Sequence, residues 1–190
     1  MKIKSMKIFL AIAILIALLF AYSEFSPPSL NYLESYLMTQ QWEKADSETR
    51  NLILKITKRK WFGEWLVYLK IEKDPIENFP CGYLMSIDRL WVNYSREHFG
   101  FSIQGRVFQK VFAKTKSGIQ DDSYEEFFKE LGWDIHKKVF QFNLNAPLGH
   151  LPSYEWMTEG ITKPKIWRAD GISLYTRLQF CQAENKSSTE

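Results

Sequence analysis

The chain of 190 residues contains no GxSxG elbow, no Walker phosphate loop and no dinucleotide fingerprint. The usual frameworks for acyl, phosphoryl and hydride transfer are therefore missing. Histidine is scarce: His98, His136 and His150 are the three present, and none has a His-Glu-x-x-His or Cys-x-x-Cys context, so no metal-ligand spacing exists. Cysteine occurs only at Cys81 and Cys181. Such a pair makes neither a zinc knuckle nor a dense disulfide framework, and both residues read as buried thiols. There is no long run of one charge either, since 25 basic and 22 acidic residues alternate to a net +3. That balance argues against a nucleic-acid partner. Asp88 is the one carboxylate that could be imagined as a base, but no partner stands at a meaningful spacing, and a catalytic role has no support.

What is abundant is aromatic surface, at 16% of residues against 45% hydrophobic overall. The length suits one ordered domain plus an appendage. The appendage is N-terminal. Lys2, Lys4 and Lys7 precede an uncharged run of fifteen residues from Ile8 to Tyr22, whereas a full span takes about twenty apolar residues and a secretory peptide about seven to fifteen. Residues 1–23 are expected to be a transmembrane anchor, with a cleaved signal at Ala21-Tyr22-Ser23 as the alternative. Three lysines before the run and none after it until Lys44 direct the domain away from the cytosolic side. Residues 24–29, with Pro27-Pro28, form a stiff linker.

From Leu30 onward the apolar spacing is helical. Leu30, Leu33 and Leu37 line a first helix and Trp42, Ala45, Thr49, Leu52, Ile53 and Ile56 a second, a hairpin with no repeat elsewhere in the chain. Lys58 to Lys73 reads as an irregular aromatic helix or flap. Leu84, Ile87, Leu90, Trp91 and Tyr94 line another helix that stops near Arg96, with Asp88, Arg89 and Asn93 pointing elsewhere. Gly100 between Phe99 and Phe101 marks a tight bend. Ile103, Val107, Phe108 and Val111 continue as a helix. Ser123-x-x-Glu126 is a capping box for the next, whose Phe127, Phe128 and Leu131 face inward until Gly132 ends it. Phe140, Phe142 and Leu144 alternate as a short extended segment. Asn145 to Gly171 carries six Pro and Gly residues and is expected to be one long loop. Residues 182–190 form a polar frayed tail.

Several of these stretches have a familiar wording. Phe79-Pro80-Cys81, Ile87-Asp88-x-Leu90-Trp91-Val92-x-Tyr94-Ser95 and Phe99-Gly100-Phe101-Ser102-x-Gln104 closely resemble the signature of the Genomes Uncoupled Four family of tetrapyrrole-binding proteins. Gly132-Trp133, Ala146-Pro147-x-Gly149-His150-Leu151-Pro152 and Leu174-Tyr175-Thr176-Arg177-Leu178, the last resembling the family's short C-terminal helix, extend the resemblance over about Leu30 to Cys181. It implies an all-α domain at 30–181, a compact bundle of short helices with a cupped aromatic groove and a long C-terminal loop beside the N-terminal membrane helix. The implied ligand is protoporphyrin IX or Mg-protoporphyrin IX, bound without turnover. The implied partner is the large porphyrin-binding subunit of magnesium chelatase, which the protein would stimulate in a plastid or a cyanobacterium.

By the same resemblance Val92 and Phe101 face the porphyrin, Trp91 and Phe99 buttress them, and Leu151, Trp156, Ile161 and Trp167 belong to the loop side. Arg168 and Arg177 would hold propionates. His150 is weighed as an iron ligand or a loop-stabilising hydrogen-bonding residue, and the second is preferred. Gly82-Tyr83 and Lys163-Pro164-Lys165 depart from the family wording. Family members act on the cytosolic or stromal side, against the lysine rule above. A domain on the opposite side would make a Cys81 to Cys181 disulfide worth testing. The reading from another class is a membrane-tethered helical module that binds a peptide or partner helix and no pigment.

Overall fold

Leu33 and Leu37, fully buried, and Trp42, Ala45, Thr49, Leu52 and Ile53, buried on the next helix, start the core. The computed structural model describes residues 9, 12–15, 27–57, 76, 78–113, 121–134, 140–153 and 164–187, of which 121–124 and 164–173 are described in backbone only. The helices are α1 (Asn31–Met38), α2 (Trp42–Ile56), α3 (Cys81–Tyr94), α4 (Phe101–Phe112), α5 (Asp121–Glu130) and α6 (Pro164–Ser187). No strand occurs among the described residues, so the domain is all-α as expected.

The hairpin α1–α2 turns through Gln40 at φ +55°, and α1 also packs on α3. Helix α3 is central, touching α1, α4 and α6, while α4 touches α5 and α6. The centre is aromatic: Trp42 stacks on Trp91 at 6.1 Å, and Phe99 meets them edge-on at 5.5 and 6.2 Å. Trp91 also carries a polar N–H into this core. Thr49 Oγ1 accepts it at 2.9 Å and donates to the Ala45 carbonyl at 2.8 Å, which removes an orphan donor that would cost about 1–3 kcal/mol. Gly105 lets α6 approach α4, because a Cβ there would overlap the Tyr175 ring.

Five expectations are corrected. First, Cys81 and Cys181 are a disulfide, with Cα atoms 5.2 Å apart, and not thiols. Second, the loop does not run to Gly171, because α6 begins at Pro164 and continues to Ser187, taking in most of the supposed frayed tail. Proline fits the first helical position, where its missing N–H has no partner to lose, and one Gly inside a long helix costs about 1 kcal/mol. Third, α5 starts at Asp121, two residues ahead of Ser123. The proposed capping box therefore lies inside the helix. Fourth, Phe140 and Phe142 are half-buried, but Leu144 sits in a turn closed by Ala146 N–H on the Asn143 carbonyl, so the alternation stops there. Fifth, Asp88 does not point to solvent; it is buried at 7% exposure.

No helix among the described residues is long and apolar enough to cross a membrane. Phe9 and residues 12–15 are helical and the rest of 1–23 lies outside the described residues, so the anchor expectation gains no support. The aromatic stretch from Lys58 to Lys73 lies outside them too.

Candidate functional site

The corner expected at Phe99-Gly100-Phe101 exists, and three devices hold it. Helix α3 ends at Tyr94, and Arg96 and Glu97 follow in the left-handed region at φ +55° and +63°. Ser95 Oγ then accepts the N–H of His98 and of Phe99 at 3.2 and 2.8 Å. Gly100, at φ +131°, precedes α4 directly. A Cβ at this position would lie 2.8 Å from Val92 Cγ2 and 3.0 Å from Asp88 Oδ1, so only glycine brings α4 this close to α3.

Asp88 explains why the approach is so close. Its Oδ1 accepts the Ser102 N–H at 2.8 Å, capping the start of α4 from a neighbouring helix in place of the side-chain cap that Gly100 cannot supply. Burial raises the Asp88 carboxyl above its ordinary range, opposed by hydrogen bonds from Ser102 and Phe101 and by the Arg106 charge. Asp88 is thus a helix cap, with no geometry for proton abstraction. Its place on the buried stripe, four residues after Leu84 and three before Trp91, was the available signal.

A second wall is laced to this corner by the segment 146–153. Gly149 N–H donates to the His98 carbonyl at 2.9 Å and Gly100 N–H to the Leu151 carbonyl at 3.0 Å. The Gln104 side-chain amide, buried, donates to the Gly149 and Pro152 carbonyls at 3.0 and 2.7 Å. His98 Nε2 lies 2.7 Å from the Ala146 carbonyl, so that nitrogen carries the proton, since a carbonyl only accepts. The far end is pinned to the hairpin: Ser153 donates its N–H and its hydroxyl to the two oxygens of Asp46, each at 2.6 Å. Asp46, like Asp88, is an acid on a buried stripe.

His150 belongs to this lacing. Its Nδ1 donates to the Leu131 carbonyl at 2.7 Å, and Nε2 accepts the Gln141 N–H at 2.9 Å. Both nitrogens are engaged in a ring of zero exposure, so the loop-stabilising role is the one observed and iron ligation is excluded in this conformation. Desolvation lowers its pKa below the ordinary value, against a raising contribution from the Leu131 hydrogen bond. Among the described residues no cluster of metal ligands exists.

The expected site residues separate into three groups. Val92, Phe101, Phe99, Trp91 and Leu151 are brought together at the corner. Val92 is half-buried, while the other four are at most 2% exposed. Arg177 is elsewhere, its Nε donating to the Phe79 carbonyl at 2.9 Å and its guanidinium 4.9 Å from the Phe180 ring. Phe79 precedes α3, so this contact lies about 20 Å of helix rise from Val92. Trp156 and Ile161 lie outside the described residues, and Trp167 and Arg168 are placed on the backbone of α6 only. Sequence reasoning missed Gln104, Asp46 and Ser153 as the parts that fix the second wall.

Known proteins resemble this arrangement in sequence and in shape. Residues 26–165 match the family model described as GUN4-like. The chain is 28% identical over 133 residues to the "Tetrapyrrole-binding protein, chloroplastic" of Arabidopsis thaliana, covering 63% of this chain and 46% of that protein. It is 30% identical over 155 residues to the "Ycf53-like protein" of Synechocystis, covering 73% of this chain and 59% of that protein. The chain therefore spans about half the length of these curated relatives. Among solved structures, the ligand-free structure of Arabidopsis thaliana GUN4 superposes with a TM-score of 0.54 at 25% identity, over 80% of this chain and 94% of that one. GUN4 from Chlamydomonas reinhardtii, at 21% identity, gives the same TM-score of 0.54 over 81% and 89% of the two chains and speaks for the fold.

Proposed function

The chain belongs to the GUN4-like family, and we propose that it binds a tetrapyrrole, protoporphyrin IX or Mg-protoporphyrin IX, at the corner between α3 and α4 without turning it over. A porphyrin is a flat apolar ring with propionates on one edge, and its site needs a rigid apolar wall and a few cations at the rim. The observation that carries this reading is the lacing of residues 146–153 onto 98–104, which makes a fixed wall with half-buried Val92 at its open edge. Phe101 and Leu151 give the wall depth, and Trp91 and Phe99 hold it from behind.

In this reading Trp156, Ile161 and Trp167 close over the ring, and Arg168 meets the propionates. Arg177 stands outside this rim, since its Nε serves the Phe79 carbonyl at the other end of α3. The ligand is then presented to the large porphyrin-binding subunit of magnesium chelatase, in a plastid or cyanobacterial setting like those of the Arabidopsis and Synechocystis relatives.

Titration of the full chain with protoporphyrin tests it. Tryptophan fluorescence should be quenched and the Soret band shifted at micromolar pigment, and Val92→Ser should weaken both at unchanged helical circular dichroism. Unquenched fluorescence with an unshifted Soret band defeats the tetrapyrrole reading and favours the pigment-free interaction module.

A further inference from the structure

Over the whole chain 25 basic and 22 acidic residues nearly cancel, but at the corner they do not. Along 81–113, the run from α3 through the bend to α4, Arg89, Arg96, Arg106 and Lys110 are exposed. Glu97 is the single exposed acid of that run, and its other carboxyl, on Asp88, is buried. The cationic excess adjoins the apolar wall, so the surface is complementary to a ligand that joins a flat apolar body to an anionic edge.

Two of these cations belong to the helices that make the wall. Arg89 lies three residues before Val92 on α3, and residues at that spacing are neighbours on a helix surface, with Cβ atoms about 5–6 Å apart. Arg106 lies on α4, about one turn beyond Ser102, whose N–H is bonded to Asp88 Oδ1. Its charge acts on the Asp88 carboxyl across the contact between the two helices. Arg89 follows Asp88 directly in the chain, so both arginines flank the same junction. Among the described residues neither side chain makes a hydrogen bond or a close ion pair. A guanidinium left in that state beside a rigid apolar surface keeps its donors for an incoming carboxylate, which it can grip through two parallel N–H bonds.

We propose that Arg89 and Arg106 receive propionates of the tetrapyrrole at the junction of α3 and α4. The inference rests on the tetrapyrrole reading and gives it an orientation, with the carboxylate edge of the ring on the two helices of the wall. Arg96, at the end of α3, adds positive charge to that rim, and Glu97 beside it subtracts some.

Titration of the full chain with protoporphyrin and with its dimethyl ester, which has the same ring and no free carboxylate, tests the assignment. The wild type should prefer protoporphyrin to the ester. Arg89→Gln and Arg106→Gln should each lower protoporphyrin affinity about fivefold, the size of a partly screened ion pair, and leave ester affinity unchanged. The loss should shrink as salt is raised. Arg89→Lys should recover part of it, because lysine keeps the charge without the bidentate grip. Lys55→Gln, which removes one exposed charge from α2, should alter neither affinity. Arg106→Gln also removes a charge that acts on Asp88, so if its ester affinity falls the wall has loosened and Arg89→Gln decides. Unchanged protoporphyrin affinity in Arg89→Gln, or an equal loss for both ligands, overturns the assignment and leaves the tetrapyrrole reading standing. A wild type that binds neither ligand defeats the tetrapyrrole reading and the assignment with it.

Discussion

Helix α3 is fastened at both ends, and the two fastenings are built differently. At its C-terminal end the corner is held by many weak bonds: Ser95 on the backbone of His98 and Phe99, Asp88 on Ser102, Gly100 on Leu151, and Gln104 on Gly149 and Pro152. At its N-terminal end one covalent bond and the Arg177 hydrogen bond join it to α6. A distributed network loses about 1 kcal/mol per broken bond and tolerates most single losses. A single bond is present or absent, and a reagent decides which. The corner wall is thus the stiff end, and the end that seats α6 is the adjustable one.

Four perturbations sharpen this contrast. Gly100→Ala attacks the one corner position that cannot be shared out, because it combines an unfavourable φ with contacts of 2.8 and 3.0 Å. A loss of about 4 kcal/mol is expected from backbone strain plus overpacking, to be measured by urea unfolding. Removing both cysteines together should cost about 3 kcal/mol, a typical value for a native disulfide, and the same experiment on reduced wild type should match it. Asp46→Ala leaves the Ser153 N–H and hydroxyl without their acceptors and should cost about 2 kcal/mol, with amide exchange raised first at residues 150–153.

The smallest effect is one of pH. Burial lowers the folded pKa of His150 below the ordinary histidine value of 6.5, so the unfolded chain binds the proton more readily. Its contribution is complete above pH 6.5 and is lost as pH falls from 6.5 through the folded value. His150→Gln should flatten that part of the thermal-midpoint profile while leaving the response to dithiothreitol untouched.

The first four helices of the domain were legible because their apolar residues repeat at helical spacing over ten or so positions, and the corner because Gly100 stands between two rings. What escaped notice has physical reasons. Asp46 and Asp88 carry the chemistry of solvent-facing residues, and only their position on a buried stripe betrays them; their partners Ser153 and Ser102 lie 107 and 14 residues away. The disulfide, raised from the sequence only as conditional on the side of the membrane, joins residues that meet only after α3 and α6 have packed, which no local pattern encodes. Pro164 and Gly171 misled in the opposite sense, since both are breakers by propensity, yet one stands at a helix start, where it is welcome, and the other inside a helix that tertiary contacts hold. Of the wall itself, Val92 and Phe101 were legible through family wording, whereas the Gln104 and Ser153 bonds that fix it were not.

The bond between Cys81 and Cys181 makes residues 81–181 a closed covalent ring that contains α3, α4 and α5 whole and most of α6. The hairpin α1–α2 is outside it, joined through the chain on one side only. One protease cut inside the ring would open it without separating the pieces, which would migrate together until a thiol is added. One cut between α2 and α3 would free the hairpin covalently, leaving it held by the packing of α1 on α3 and by bonds such as those of Thr49 to Trp91 and Asp46 to Ser153.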